Sequence, residues 1–225
     1  MTLLKRIAAK LPDRWQHELR RRHFQREIRR GTFCTDEKEY ALLDTFIGQG
    51  DWVLDIGANV GHYAMRMSQL VGSTGRVIAL EPVPDTFSLL AANVRLFEYP
   101  NVSLLNVAAS DRVAAMRMQI PRFADGLSNY YQAHLSTDSG ALAVLTVPID
   151  ALSLPAIKLV KIDVEGHELP ALRGMRGLLE RYHPVLIVET GSQESLDLLN
   201  DLGYAVERLP SSSNVLCRPG AKGRA

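Results

Sequence analysis

Cysteine is scarce. The 225 residues hold only Cys34 and Cys217, far apart and in no Cys-x-x-Cys pair, so neither a disulfide framework nor a zinc knuckle has support. A reducing compartment follows. Long apolar runs are missing as well: no stretch approaches the roughly 18 residues of a membrane span, and Met1 to Lys10 lacks the apolar segment of a secretory signal. A cytoplasmic protein is expected. A surplus of either charge is also absent, because 26 Lys and Arg against 25 Asp and Glu leave a net charge of +1. No global field draws the chain to nucleic acid. Locally, Arg14, Arg20, Arg21, Arg22, Arg26, Arg29 and Arg30 are opposed only by Glu18 and Glu27. A solvated helix face explains that run, and no Asn-Pro-Pro-Tyr or Pro-Cys motif for base methylation accompanies it, so no nucleic-acid partner is expected.

What is present is ordinary for one domain with a sizeable core, at 46% hydrophobic and 23% charged residues. Leu3, Leu4, Ile7, Ala8 and Leu11 recur at helical spacing with Lys5, Arg6 and Lys10 between them. Such a helix either packs its apolar stripe on the domain or a second subunit, or makes a peripheral contact with an anionic membrane. Thr35 reads as the N-cap of a second helix carrying Tyr40, Leu42, Leu43, Phe46 and Ile47. Apolar runs at 52–56, 77–80, 102–107, 158–162 and 185–188 then alternate with helical patterns, the last two being 169–182 and 194–202. This is the pattern of parallel strands joined by right-handed crossovers, an α/β Rossmann-like sheet with helices on both faces. Between them, 114–120 and 142–147 read as a β-hairpin insertion around the segment 122–140. Strands at 205–209 and 215–218 complete a mainly parallel seven-stranded sheet. Residues 1–34 read as a basic helical N-terminal extension, 35–218 as the main domain and 219–225 as a flexible tail.

The segment Asp55-Ile56-Gly57-Ala58-Asn59-Val60-Gly61 places two glycines between a strand and a helix, where a ligand can approach backbone. It is not the Gly-x-Gly-x-x-Gly of dinucleotide binders, whose amides face a pyrophosphate. An acidic residue before the first glycine suits S-adenosylmethionine (SAM), which carries an ammonium and no phosphate. Glu81, followed by Pro82 at the end of the next strand, is placed to accept hydrogen bonds from ribose hydroxyls. Asn106 and Ala108 follow the third strand, where small residues let the chain pass an adenine edge.

The octet Lys161-Ile162-Asp163-Val164-Glu165-Gly166-His167-Glu168, with Leu172, Arg173 and Gly174, resembles the FkbM-type methyltransferase family. The Asp55–Gly61 segment, Glu81-Pro82, the turn from Asn106 to Asp111, and Glu189 resemble it in the same order. The resemblance covers about 36–208. It implies a class I methyltransferase fold, SAM as methyl donor, and a hydroxyl of a sugar, glycan or natural product as acceptor. Asp55, Gly57, Asn59, Gly61, Glu81 and Asp163 inherit cofactor-side roles, which Ala58, Pro82, Asn106 and Ala108 extend. Substitution of Asp55 or Gly57 is expected to abolish SAM binding without unfolding the chain.

Asp163, Glu165 and His167 fall at the carboxyl end of the fourth strand, the edge where open α/β sheets bind ligands, and are the catalytic candidates. His167 serves as general base or as a helix-start residue bonded to backbone. Asp163 and Glu165 act on SAM's positive charge or, with Glu189, hold a divalent cation, the metal-free reading being the one adopted. Asn129, Tyr130, Tyr131, His134 and Glu189 are the acceptor-side candidates. A nicotinamide-dependent oxidoreductase and a SAM-binding module without activity remain as alternatives.

Overall fold

A computed structural model describes residues 11–121, 132–136, 140 and 142–220. The expected amphipathic stretch at 3–11 lies, apart from Leu11, outside the described residues, as do Asn129, Tyr130 and Tyr131. Helix α1 (Asp13–Arg30) closes at Gly31, whose φ of 69° lets its N–H and that of Thr32 reach the Ile28 and Glu27 carbonyls. Phe24 and Ile28 pack it against Phe33, Val60 and Leu89.

The Thr35 cap is not realised. Glu37 is extended and its carboxylate accepts from Tyr63 Oη at 2.6 Å, so the chain makes a 3₁₀ turn at Lys38–Leu42 before the short helix α2 (Leu43–Phe46). Strand β1 (Trp52–Ile56), helix α3 (His62–Val71), strand β2 (Arg76–Leu80), helix α4 (Pro84–Val94) and strand β3 (Val102–Leu105) follow in strict alternation. Two-residue β4 (Ala108–Ala109), β5 (Ala114–Gln119), β6 (His134–Ser136) and β7 (Leu142–Val147) come next. Then come β8 (Leu159–Ile162), α5 (Glu168–Arg173), α6 (Arg176–Tyr182), β9 (Val185–Glu189), α7 (Gln193–Asp201), β10 (Tyr204–Arg208) and β11 (Asn214–Pro219).

The main sheet runs β10-β11-β9-β8-β1-β2-β3. Its pairs from β9 to β3 are parallel, and β11 is antiparallel to both β9 and β10, so the last strand inserts beside β9 and β10 takes the edge. Both faces are covered. Leu54, Ile56, Val160, Ile162, Leu186 and Val188 face Leu172, Leu179 and Leu199 of the C-terminal helices, while Val53, Val77, Leu159 and Ile187 face Leu43, Ala64, Met67 and Leu90. Successive strand residues point to opposite faces, so strands buried on both sides are almost wholly apolar. Asp55 and Lys161 are register partners on the second face and interrupt that rule.

The expected hairpin insertion is a larger unit. β5 and β7 do pair antiparallel, but β6 adds to one side of β5 and β4 pairs parallel with β7, making a separate four-stranded sheet. Met118 and Val144 turn its apolar face toward Val83 of the main domain.

The single helix expected over 169–182 is broken in two. Gly174 passes so close to Ser110 that a Cβ would lie 1.8 Å from the Ser110 carbonyl oxygen. Helix α6 restarts because the Asp150 carboxylate caps it from outside, accepting from the N–H groups of Gly177 and Leu178 at 2.8 Å each.

Candidate active site

At the carboxyl ends of β1, β2, β8 and β9 lies a cleft of about 890 Å³ counting its open mouth, within the range of small-molecule sites. Ile56, Gly57 and Asn59 form one wall, Leu80 to Val83 and Val107 to Ala109 the second, and Asp163, Val164, Glu165, His167 and Glu189 the third. Met118, Ala133 and Leu135 of the small sheet close it from above with apolar surface.

The first wall is a strand-to-helix turn that bends by positive φ: 80° at Gly57, 49° at Asn59 and 101° at Gly61. Both the Gly57 and Ala58 N–H groups donate to the Leu80 carbonyl, at 3.0 and 2.9 Å. A Cβ on Gly57 would sit 1.7 Å from the Asp163 carbonyl oxygen, so backbone meets backbone where β1 and β8 end. Glu81 ties this turn to the next one, accepting from Asn59 N–H at 3.0 Å and from Val83 N–H at 2.9 Å. Burial pushes its carboxyl up to about 7 despite those two donors.

Gly57, Asn59, Glu81, Pro82, Ala108, Asp163, Glu165, His167 and Glu189, all singled out in the sequence, therefore line one cleft. Asp55, Ala58, Gly61 and Asn106 stand behind its wall. Asp55 is fully buried, neither carboxylate oxygen meets a hydrogen-bond partner among the described residues, and burial raises it to about 6 against the pull of Lys161. Gly61 gives Leu90 room, and Asn106 Nδ2 donates to the carbonyls of Glu81 and Pro82 at 2.8 and 3.0 Å. His134 is on β6, but strand alternation sends its neighbours Ala133 and Leu135 into the cleft and leaves its ring on Gln119 Oε1 at 3.1 Å.

Four contributors were given no role by sequence reasoning, although Lys161 and Ser110 fall within segments it singled out. Glu37 lines the cleft beside Tyr63, and Met118 supplies part of the cover. Lys161, 5% exposed, places its Nζ 3.0 Å from Asp163 Oδ2 and 4.7 Å from the Tyr63 ring centroid. A lysine inside the run Leu-Val-Lys-Ile was the available signal. Ser110, also buried, holds its Oγ 3.0 Å from His167 Nε2 and 3.5 Å from Asp111 Oδ1.

Five carboxyl groups, from Glu37, Glu81, Asp163, Glu165 and Glu189, face the cleft, and among the described residues no Lys or Arg side chain lines it. Burial works to raise Asp163, but the Lys161 charge and a hydrogen bond shared with Glu189 hold it below the ordinary carboxylate value. Glu189 moves the other way, to about 7, through burial and its hydrogen bond to Asp163. The two carboxyls thus titrate as a pair, Asp163 ionising first and Glu189 last. Burial lowers His167, keeping its imidazole neutral. Among the described residues no group of three or more His, Cys, Asp or Glu side chains is arranged to hold a metal ion.

The fold is that of class I methyltransferases. The methyltransferase from Geobacter sulfurreducens superposes with a TM-score of 0.51 at 14% identity, covering 95% of this chain and 93% of that one. The methyltransferase FkbM from Methylobacillus flagellatus KT gives a TM-score of 0.54 at 18% identity over 75% of this chain and 43% of that one. The Methyltransferase FkbM domain matches residues 55–206, and the chain belongs to that family. The hexuronic acid methyltransferase AglP of Haloferax volcanii is 29% identical over 143 residues, covering 62% of this chain and 56% of its own length. A protein-L-isoaspartate O-methyltransferase of Methanothrix thermoacetophila is 34% identical over 64 residues, 28% of this chain and 30% of its own. The chain thus spans about half or less of the lengths of these two relatives.

Proposed function

We propose that the chain is a SAM-dependent O-methyltransferase acting on a hydroxyl of a sugar, glycan or natural product. The observation that carries the reading is the acidic lining of the cleft: five carboxyl groups, Asp163 held ionised among them, and no lining cation among the described residues favour a sulfonium and an ammonium and disfavour a pyrophosphate. The nicotinamide alternative loses its footing on the same ground. The residues also fit the remainder of the cofactor. Glu81 stands at the end of β2 for the ribose hydroxyls, Gly57 lets the turn after β1 close against the Asp163 backbone at the cleft wall, and Ala108 with Met118 and Leu135 offers apolar surface for a base. SAM, when bound, supplies a methyl group made electrophilic by its sulfonium.

The chain's own residues align the acceptor and take its proton. In this proposal Ser110 Oγ, 3.0 Å from His167 Nε2 and 3.5 Å from Asp111 Oδ1, accepts from His167 Nε2–H and leaves Nδ1 as the unprotonated nitrogen. Nδ1 is then the proton acceptor. Lys161 keeps Asp163 ionised beside the cationic ligand, and Glu189 with Glu165 borders the acceptor side. The sugar class of the acceptor draws support from the name of the Haloferax relative.

Thermal shift with S-adenosylhomocysteine and with NAD, followed by transfer of label from SAM to a panel of sugars, tests the proposal. Stabilisation by the first nucleoside alone is expected. Stabilisation by NAD alone would overturn it, and activity lost to EDTA and restored by magnesium would replace the His167 step with the Asp163, Glu165 and Glu189 cation reading.

A further inference from the structure

We infer that α1 is a docking surface for anionic phospholipid membrane, its apolar half lying at the end of the helix nearer the cleft. Trp15, Leu19, Arg22, Arg26 and Arg29 recur three or four residues apart, which puts them on one side of the helix, Leu11 comes two residues before its start, and all six are exposed. The inward side is different: Phe24 and Ile28 pack on the domain, and His17 Nε2 lies 3.1 Å from the Asp85 carbonyl and 2.6 Å from Ser88 Oγ. No residue of the helix is fully buried. The outward stripe is divided along its length, with three large apolar side chains at the start and arginines, joined by exposed Arg30, at the end. Trp15 is 52% and Leu19 46% exposed. Glu18 offsets part of the charge, bonded to Arg21 and Arg22 at 2.7 Å, and Glu27 lies 3.4 Å from His23.

That division matches one partner chemistry. Leucine and tryptophan enter the boundary between headgroups and acyl chains, while arginines beside them meet lipid phosphates. A second copy of the chain would set arginines against arginines in a parallel pair or against the apolar half in an antiparallel one, and nucleic acid would leave Trp15 and Leu19 in water. The apolar half is also the half near the cleft. His17 is held at Asp85 and Ser88, in the first turns of α4, and the Pro82 and Val83 that immediately precede α4 belong to the cleft wall. Docking by Leu11, Trp15 and Leu19 therefore leaves α1 between the membrane and that rim.

The test uses the full chain with no cofactor or acceptor, so its failure is separate from a failure of the methyltransferase reading. Vesicles of phosphatidylcholine and phosphatidylglycerol at about two to one should sediment the protein, and vesicles of phosphatidylcholine alone should not. Salt should release it. Trp15 emission should shift to the blue on binding, a signal that Trp15→Phe removes. Trp15→Ser with Leu19→Ser should abolish sedimentation, and each of Arg26→Gln, Arg29→Gln and Arg30→Gln should weaken it roughly fivefold, with S-adenosylhomocysteine affinity and melting temperature unchanged. Absence of sedimentation, equal binding to both vesicle types, unshifted Trp15 emission, or a concentration-dependent dimer lost in Trp15→Ser would each overturn the proposal.

Discussion

The Nζ of Lys161 lies 3.0 Å from Asp163 Oδ2, and the register of β1 against β8 sets Asp55 opposite Lys161 on the same buried face of the sheet. One buried cation thereby serves two carboxyl groups. Lys161→Met leaves both without their counter-charge. A loss of roughly 3–5 kcal/mol is expected, the usual consequence of breaking one side of a buried pair. Denaturant unfolding measures it. Lys161→Met with Asp163→Asn should cost less than the sum of the two single changes, and strict additivity would show that the pair is not coupled.

Gly57 departs from the simple expectation that the loop tolerates substitution while losing its ligand. Its Cβ would meet the Asp163 carbonyl at 1.7 Å, and its φ is 80°. Gly57→Ala is therefore expected to destabilise the protein by about 2 kcal/mol or more, besides weakening S-adenosylhomocysteine. A melting temperature equal to wild type, with only affinity lost, would mean that β8 moves aside freely.

Glu81 predicts a pH dependence. Burial raises its carboxyl to about 7, so the unfolded chain releases its proton first, and the stabilisation is complete at acid pH and lost as pH rises through 7. Asp55, raised to about 6, and Glu189, raised to about 7, act in the same direction. His62 and His167, lowered by burial, act oppositely below their ordinary range. The difference between wild type and Glu81→Gln isolates the group. Their stability gap should shift by up to about 3 kcal/mol between about pH 4.5 and 8, favouring the variant at the alkaline end. A gap independent of pH refutes the assignment.

His167 and Ser110 separate chemistry from positioning. His167→Ala should lower kcat on the order of a hundredfold or more while S-adenosylhomocysteine affinity holds. Ser110→Ala should cost less, and its acid limb in the pH–rate profile should move, because the ring loses the 3.0 Å contact proposed to set its tautomer. Stopped-flow or steady-state profiles of both variants decide the matter. Equal losses of kcat and binding in His167→Ala would assign it to structure.

Much of the architecture was legible because local pattern and global fold agree. Trp52–Ile56, Arg76–Leu80 and Leu159–Ile162 read as strands from their apolar runs, and helices of ordinary length between them force parallel pairing. Gly57, Gly61 and Glu81 are legible for the same reason, since a turn needing positive φ and an acid at a strand end are local requirements. What the sequence could not show was decided by contacts between distant segments. The split at Gly174 depends on Ser110, the cap of α6 depends on Asp150, and the 3₁₀ turn at Lys38 follows a Glu37 bonded to Tyr63. Which carboxylates face the cleft was likewise a matter of tertiary position. Asp55 and Glu81 both stand at or near strand ends, yet Asp55 is sealed behind Gly57 while Glu81 lies on the wall, because strand alternation and the path of the turn fix where each side chain goes. Local rules are short-ranged, and a cleft lined by groups as far apart in sequence as Glu37 and Glu189 is assembled only when the sheet closes around it.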